Sequence, residues 1–244
     1  MTAFPSQALR RSPAALTRRL KQAIERPNFA RVGPVHFQPL EWELEPVLKF
    51  MYGRLLNAGC GNRDLAGLFR ASGVSEVVNY DISSSLQDAI CGPLEQMPFE
   101  DESFDSVLCN AVLEHVVYIE EVMKELGRVL RVGGHAVISI PFLQPFHACP
   151  TDFRRFTDDG IRQLATSRGL EVVAVYPVHS ITQTVCWIIW QHLLEKKSPL
   201  RSLAYPILWA ATRFHCRSDR ATITVANTFQ MVCRKPESAP AESG

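Results

Sequence analysis

Two glycines, Gly59 and Gly61, follow a short apolar run that starts at Arg54, and Asp81 ends the next apolar run. Glycine lets the backbone turn tightly and lets a ligand come within contact distance. Backbone N–H groups at the start of a following helix suit a carboxylate or a phosphate. An acid about 20 residues further on can accept both hydrogen bonds of a ribose diol. The alternatives are a plain tight turn and, for Asp81, a cap for a short helix over 83–89.

A second set of chemically active residues lies in the proline-rich segment 140–157. The pKa of a histidine is ordinarily near neutrality, so His147 is predicted to be a general base. Asp152 is predicted to orient that histidine or to pair with Arg154 or Arg155. Arg155 is predicted to bind a substrate carboxylate or phosphate. The alternative for these residues is structural, with an Asp–Arg pair that holds the loop closed.

Alternating strands and helices must position these residues. The apolar runs predict strands over 54–60, 76–81, 104–110, 135–142, 170–178 and 223–233. The periodicity and capping residues predict helices over 40–52, 62–71, 118–130, 157–168, 183–194 and 199–215. This alternation is typical of an α/β fold with a mainly parallel sheet, an antiparallel last strand and helices on both faces. Ligands bind at the carboxyl ends of such strands, where the glycine loop, Asp81 and the segment 140–157 are expected.

The motifs and their order resemble the class I methyltransferases that depend on S-adenosylmethionine (SAM), specifically the type 11 group. The matching segments are LLNAGCGNRD (55–64), VVNYDIS (77–83), PLEQMPFEDESFDSVLCNAVLEHV (93–116) and ELGRVLRVGGHAVISIPF (125–142). The segment 140–157 resembles one subgroup of the same family. The resemblance implies a Rossmann-like methyltransferase sheet and SAM as the cofactor.

The resemblance also assigns cofactor contacts residue by residue. Ala58, Gly59 and Gly61 would line the amino-acid part of SAM, and Asp81 would hold the ribose. Around the adenine and the methionine, the implied contacts are Ile82, Leu94, Glu95, Asn110, Ala111 and His115.

Three positions depart from the family pattern. Asn57 stands where the family usually has an acid, Arg63 replaces the third glycine, and Pro93 replaces a frequent aspartate. Arg63 is expected to point out of the cofactor pocket. These departures leave open a second interpretation, a methyltransferase-like binding protein with weak or no catalysis.

The predicted function is methyl transfer to a small-molecule or lipid-like acceptor, at an oxygen atom. Two aromatic helices, predicted within a helical insertion over about 179–217, would form a lid over an apolar acceptor, a membrane-resting surface or a hairpin packed on the sheet. The membrane reading suggests a peripheral factor in envelope or glycolipid assembly. A nucleic-acid substrate is not expected, because the body of the chain is net acidic.

Composition and charge set the remaining expectations. The chain has 244 residues, is 46% hydrophobic and carries a net charge of +1, as globular proteins do. We divide it into a basic extension (1–35), the methyltransferase domain (36–235) and a disordered tail (236–244). Its seven cysteines show no zinc spacing, so no metal site is expected. Reduced thiols and the lack of a signal-peptide pattern predict a cytoplasmic protein, with peripheral membrane contact as an alternative.

Overall fold

The computed structural model describes residues 33–147, 151–215 and 221–237. Its centre is a seven-stranded sheet with the order β3-β2-β1-β4-β5-β7-β6. Strands β1 to β5 pair in parallel, and β7 lies antiparallel between β5 and β6. The strands are β1 (Gly53–Ala58), β2 (Val74–Asp81), β3 (Ile90–Cys91), β4 (Phe104–Asn110), β5 (Leu130–Pro141), β6 (Glu171–Val178) and β7 (Thr228–Arg234).

Helices cover both faces of this sheet. They are α1 (Leu40–Leu44), α2 (Ala66–Ala71), α3 (Ile119–Val129), α4 (Asp158–Thr166), α5 (Ile181–Glu195) and α6 (Arg201–His215), with 3₁₀ turns at Glu45–Phe50 and Ile223–Val225. One core cluster packs α3 and α4 against the sheet, and a second packs α1 and α2 against the opposite face. The sequence prediction of a Rossmann-like methyltransferase sheet is therefore confirmed.

A helical hairpin of α5 and α6 forms a third cluster with the segment that precedes α1. Val35 packs with Trp187, Trp190 and Leu208. A Cβ atom at Gly33 would lie 1.9 Å from the Trp190 ring, so only glycine fits there. Ser180 and Gln183 form a capping box that fixes the start of α5. The chain before α1 is thereby held across α5, beside the carboxyl ends of the strands.

Several predicted boundaries were wrong for local reasons. Pro46 ends the predicted helix 40–52 early, and a 3₁₀ turn follows Leu44. The loop after Gly61 delays the next helix to Ala66, and no helix forms over 83–89. β7 begins at Thr228 rather than at residue 223, because a 3₁₀ turn occupies Ile223–Val225.

Two of our domain predictions fall outside the described residues. The basic extension lies there except for residues 33–35, and the tail lies there beyond residue 237. Within the described ranges, every helix is too short or too polar to cross a membrane.

Candidate active site

The glycine loop leaves β1 in a conformation that requires glycine. Gly59 has φ +73° and Gly61 has φ +57°. A Cβ atom on Gly59 would lie 2.2 Å from a Val112 methyl group, whereas the space around Gly61 is open. The N–H groups of Gly59 and Cys60 donate to the Tyr80 carbonyl at 2.7 and 3.2 Å. The loop is therefore fixed to the end of β2.

Asp81 closes the loop from the neighbouring strand. Its Oδ2 accepts a hydrogen bond from the Gly61 N–H at 2.8 Å, and its Oδ1 accepts one from the Ser83 N–H at 2.9 Å. A carboxylate has about four lone-pair sites, so two remain for the vicinal hydroxyls of a ribose. The alternative that Asp81 caps a helix over 83–89 is wrong, because no helix forms over these residues.

An open apolar surface adjoins Asp81. Ile82 is 75% exposed, which suits a residue that a flat ring would cover. In the loop that follows β3, Leu94 is buried, Glu95 is half-buried and Pro93 is exposed. Tyr80 Oη donates to the Pro93 carbonyl at 3.0 Å and fixes this loop.

An ion-pair network holds the chain that follows this loop. The Arg128 guanidinium donates to Glu125 at 2.7 and 2.8 Å and to the carbonyls of Met97 and Phe99. Glu125 also accepts the Met97 N–H at 2.9 Å. Hydrogen bonds from Arg128, followed by the Met97 bond and the charge of Arg128, lower the pKa of Glu125 against the opposing effect of burial.

The third part of the predicted cofactor site is the end of β4. Asn110 lines a cavity, and Ala111 follows it with φ +56°. The Ala111 N–H donates to the Ser139 carbonyl at 3.0 Å, which fixes this turn. Asn57 does not take part, because its buried amide donates to Asn79 Oδ1 at 2.9 Å within the sheet. The position that the family fills with an acid is thus a structural amide pair here.

A cavity of about 560 Å³ opens above the strand ends next to Asn110. Its walls come from the segment before α1, the glycine loop, the segment 140–157 and α5, and include Phe37, Glu43, Arg63, His147, His179 and Trp187. Arg63 forms part of this wall, and the expectation that it points out of the cofactor pocket stays a prediction. A smaller cavity of about 170 Å³ continues between Asn110, Ala111 and Ser139.

Asp152 and Arg155 fix the loop that carries His147. Asp152 Oδ2 accepts the His147 backbone N–H at 2.8 Å and an Arg155 Nη2 hydrogen bond at 2.7 Å. Arg155 also donates to the carbonyls of Gln144 and Pro145. Its hydrogen bonds, helped by the His147 N–H, lower the pKa of Asp152 to about 2. Arg155 is thereby occupied within the loop, which favours positioning over contact with a substrate.

His147 and His115 both face the Glu114 carboxylate. Their Nε2 atoms lie 3.9 and 3.7 Å from Glu114 Oε1, and the Glu114 side chain is 1% exposed. The nearby Glu114 carboxylate raises the pKa of His147 against the opposing effect of burial. His115 lies beside His147, with ring centroids 5.4 Å apart, and its contact with the cofactor stays a prediction. We did not predict a part for Glu114. A carboxylate in the otherwise apolar stretch Ala111–Val117 was the available signal.

Glu43 and His179 form a second pair that we did not predict. Glu43 Oε1 lies 3.5 Å from His179 Nε2, and both residues line the two cavities described above. Burial raises the pKa of Glu43 to about 7, partly offset by the Arg63 charge. Burial also lowers the pKa of His179 to about 4. Near neutral pH, Glu43 is therefore partly protonated and His179 is neutral at the cavity wall.

Comparison with known proteins agrees with this architecture. Residues 56–138 match the type 11 family described as "Methyltransferase domain". The chain is 32% identical over 96 residues to malonyl-[acyl-carrier protein] O-methyltransferase of Erwinia pyrifoliae, covering 35% of this chain and 36% of that protein. It is also 32% identical over 96 residues to 24-methylenesterol C-methyltransferase 2 of Arabidopsis thaliana, covering 33% and 27%. The chain spans less than half the length of the curated relatives it matches.

Solved structures share the fold at low sequence identity. A SAM-dependent methyltransferase from Archaeoglobus fulgidus superposes with a TM-score of 0.57 at 13% identity, covering 80% of this chain and 93% of that one. The sheet order and the glycine loop define a class I methyltransferase fold. Within it, residues 56–138 match the type 11 methyltransferase family, and the predicted resemblance is confirmed.

Proposed function

We propose that this protein is a SAM-dependent methyltransferase. One observation carries the proposal: Asp81 Oδ2 accepts a hydrogen bond from the Gly61 N–H at 2.8 Å, and Asn110, at the end of β4 on the other side of β1, lines a cavity of about 560 Å³. The carboxylate proposed to bind the ribose and the cavity proposed for the acceptor therefore share one edge of the sheet. When bound, SAM supplies an activated methyl group on a sulfonium, so positioning and exclusion of water do most of the catalytic work.

The residues present fit this cofactor. In the proposal Ala58, Gly59 and Gly61 contact its amino-acid part through their backbone, and Asp81 accepts the ribose hydroxyls. Ile82, Leu94 and Glu95 enclose the adenine. The remaining contacts, toward the methionine and its methyl group, come from Asn110, Ala111 and His115.

The acceptor is proposed to be a small or lipid-like molecule that reacts at a hydroxyl. His147, which lines the cavity, would accept the hydroxyl proton as the acceptor oxygen receives the methyl group. Glu114 stabilises the resulting imidazolium. Asp152 and Arg155 are positioning residues, because they hold the His147 backbone and loop. Phe37 and Trp187 supply apolar walls for the acceptor.

An in vitro transfer assay tests the reaction. Full-length protein is incubated with methyl-labelled SAM and fractionated metabolite and lipid extracts, and labelled products are identified by mass. We expect one acceptor class to gain a methyl group, His147→Ala to lose most of kcat, and His192→Ala, at an exposed position on α5, to retain it. No labelled product from any fraction, or full turnover by His147→Ala on the acceptor found, would contradict the proposal.

A second proposal concerns the surface at which the protein binds its acceptor. The α5–α6 hairpin exposes large apolar side chains, among them Ile188, Leu203, Ile207 and Phe214, and residues 1–35 carry seven basic side chains and one acidic one. We propose that the hairpin and the basic segment together contact an anionic membrane surface. The contact is proposed on the cytoplasmic side, where thiols such as Cys109 stay reduced.

Sedimentation with anionic liposomes tests this contact. It should recover the full chain, and the double variant Leu203→Glu with Ile207→Glu should be recovered less. Equal recovery of the double variant would refute the contact.

A further inference from the structure

Three electron-pair donors converge behind the cavity wall. Glu114 Oε1 lies 3.7 Å from His115 Nε2 and 3.9 Å from His147 Nε2. The three ligating atoms lie within 4.8 Å of one another. We call these residues the 114–115–147 cluster. His147 also lines the cavity of about 560 Å³, so the cluster lies beside the space proposed for the acceptor.

The hydrogen bonds of the two rings fix where their lone pairs point. His115 Nδ1 contacts the Thr151 carbonyl, and His147 Nδ1 lies 3.1 Å from the Pro145 carbonyl. A carbonyl only accepts, so the Thr151 contact places the proton of neutral His115 on Nδ1 and leaves a lone pair on Nε2. For His147, Arg155 Nη2 also approaches Nδ1 at 3.3 Å, and the shorter contact with the Pro145 carbonyl favours the same tautomer. Both lone pairs face the same carboxylate.

The Glu114 carboxylate, in turn, lacks hydrogen-bond donors among the described residues. Its side chain is 1% exposed, and neither carboxylate oxygen accepts a hydrogen bond from any residue the structure describes. An unpaired buried carboxylate is costly, so such groups are paired, protonated or bound to a metal. Three donors without a cation between them form an arrangement that a positive ion would stabilise.

We infer that the 114–115–147 cluster binds a divalent transition-metal ion of the Zn²⁺ class. Two imidazoles and one carboxylate are a common ligand set for a zinc ion that keeps a further position open. Mg²⁺ and Ca²⁺ prefer oxygen ligands and are disfavoured here. In tetrahedral zinc sites neighbouring ligand atoms lie about 3.3 Å apart, from a metal–nitrogen distance of about 2.0–2.1 Å. The separations from Glu114 Oε1, 3.7 and 3.9 Å, are longer than this by about 0.4 and 0.6 Å. The separation between the two histidine nitrogens, which lies within 4.8 Å, is longer by at most about 1.5 Å, so the side chains move together when the ion binds.

The surrounding hydrogen bonds match the needs of such a site. Metal-binding histidines usually donate their other ring N–H to a carbonyl or a carboxylate, which fixes the ring and its tautomer. Both rings do so here, through Thr151 and Pro145. Thr151 Oγ1 also donates to the His115 carbonyl at 3.1 Å. The sequence did not predict the cluster, because its ligands are two adjacent residues and one that follows β5. This pattern lacks the short spacing between ligands that marks a metal motif.

The chemical consequence rests on the proposed function. His147 Nε2 holds either a proton or the ion. The open position of a bound ion would take the acceptor hydroxyl and lower the hydroxyl pKa, so that water would accept the proton in place of His147. Ion binding itself requires neither SAM nor the acceptor, so it can be tested separately.

Calorimetric titration with Zn²⁺, repeated with Co²⁺ under visible absorption, tests the inference on chelator-treated full-length protein. We expect one equivalent bound per chain and Co²⁺ bands typical of nitrogen and oxygen ligands. Glu114→Gln and His147→Gln should each weaken binding by at least roughly 10–100-fold, the loss known for supporting residues alone. His192→Ala is the matched control, because it removes an exposed imidazole, and it should bind like the wild type.

Circular dichroism and SAM binding show whether each variant is folded. Absence of one-equivalent binding in the wild type would overturn the inference, as would unchanged affinity in folded Glu114→Gln and His147→Gln. Co²⁺ bands dominated by thiolate charge transfer would also overturn it, because the cluster contains no cysteine. If ion binding fails while SAM binds, the metal site is wrong and the methyltransferase proposal stands.

Discussion

The cofactor half and the acceptor half of the site are built differently. The cofactor half joins neighbouring strands through backbone groups and one carboxylate, and its key contact links Gly61 and Asp81, 20 residues apart. The acceptor half is assembled from side chains that are distant in sequence. One of its hydrogen bonds joins Gln183 to the His36 carbonyl across 147 residues. The first half follows from local sequence, whereas the second exists only once the whole chain has folded.

The two halves also treat charge differently. On the cofactor side, Glu125 is paired with Arg128, and its pKa lies below the ordinary range. At Glu43 and His179 on the acceptor side, burial dominates, which raises the pKa of Glu43 to about 7 and lowers that of His179 to about 4. Asp152, on the same side, is paired with Arg155 and has a lowered pKa, as Glu125 does. We therefore expect substitutions of Glu125 and Glu43 to change stability in opposite directions.

The largest effect is expected in the glycine loop. Gly59→Ala places a Cβ atom 2.2 Å from a Val112 methyl group at a positive φ. The left-handed conformation costs about 1–2 kcal/mol and the overpacking about 1–3 kcal/mol, so the free energy of unfolding should fall by about 2–5 kcal/mol in urea titration. Gly73→Ala has φ +99° but open space and isolates the backbone cost. Equal losses in the two variants would show that the Val112 contact is unimportant.

A smaller loss is expected for Glu125→Gln. Charged hydrogen bonds contribute about 1.5–3 kcal/mol, and the variant should lose about that much near neutral pH. Because the pKa of Glu125 is lowered on folding, its contribution is present above the ordinary value of 4.5 and is lost as the pH falls. The difference from wild type should therefore shrink in acid. Glu171→Gln, at an exposed strand end, should change little, and a pH-independent difference for Glu125→Gln would contradict the ion-pair account.

The smallest effect has the opposite sign. Because the pKa of Glu43 is raised, the protein loses stability as this carboxyl ionises between about pH 4.5 and about pH 7. Glu43→Gln removes that cost, so its free energy of unfolding should gain on the wild type across this range. Arg63, Glu41 and His179 face the group and remain in both proteins. Exposed Glu45→Gln on the same segment should show no such trend, and a flat difference for Glu43→Gln would mean that Glu43 stays ionised throughout.

The sequence predicted those features that depend on local spacing. The glycine loop, the place of Asp81 at a strand end and the parallel strands follow from motifs in 54–142, and the fold prediction is confirmed. The segment 140–157 was recognised, but the roles of Asp152 and Arg155 depend on hydrogen bonds that spacing does not determine. Glu43 and His179 were missed because they meet only through long-range packing, and Glu114 was missed because His147 reaches it only after the segment 140–157 has folded. The helix boundary at Ala66 was missed because the loop after Gly61 is held by side chains: Asn62 accepts the Ser85 N–H, and Asp64 accepts the Ala66 N–H.

Calorimetric titration of the full chain with SAM and S-adenosylhomocysteine tests the central claim most directly. We predict one equivalent bound to the wild type. Asp81→Ala should weaken SAM binding roughly 10–100-fold, because a hydrogen bond to a charged group contributes about 1.5–3 kcal/mol. The affinity of Asp81→Asn for SAM should lie between those of the wild type and Asp81→Ala. No binding of either ligand to the wild type would indicate a methyltransferase-like binding protein, and an unchanged dissociation constant in Asp81→Ala would contradict the ribose site.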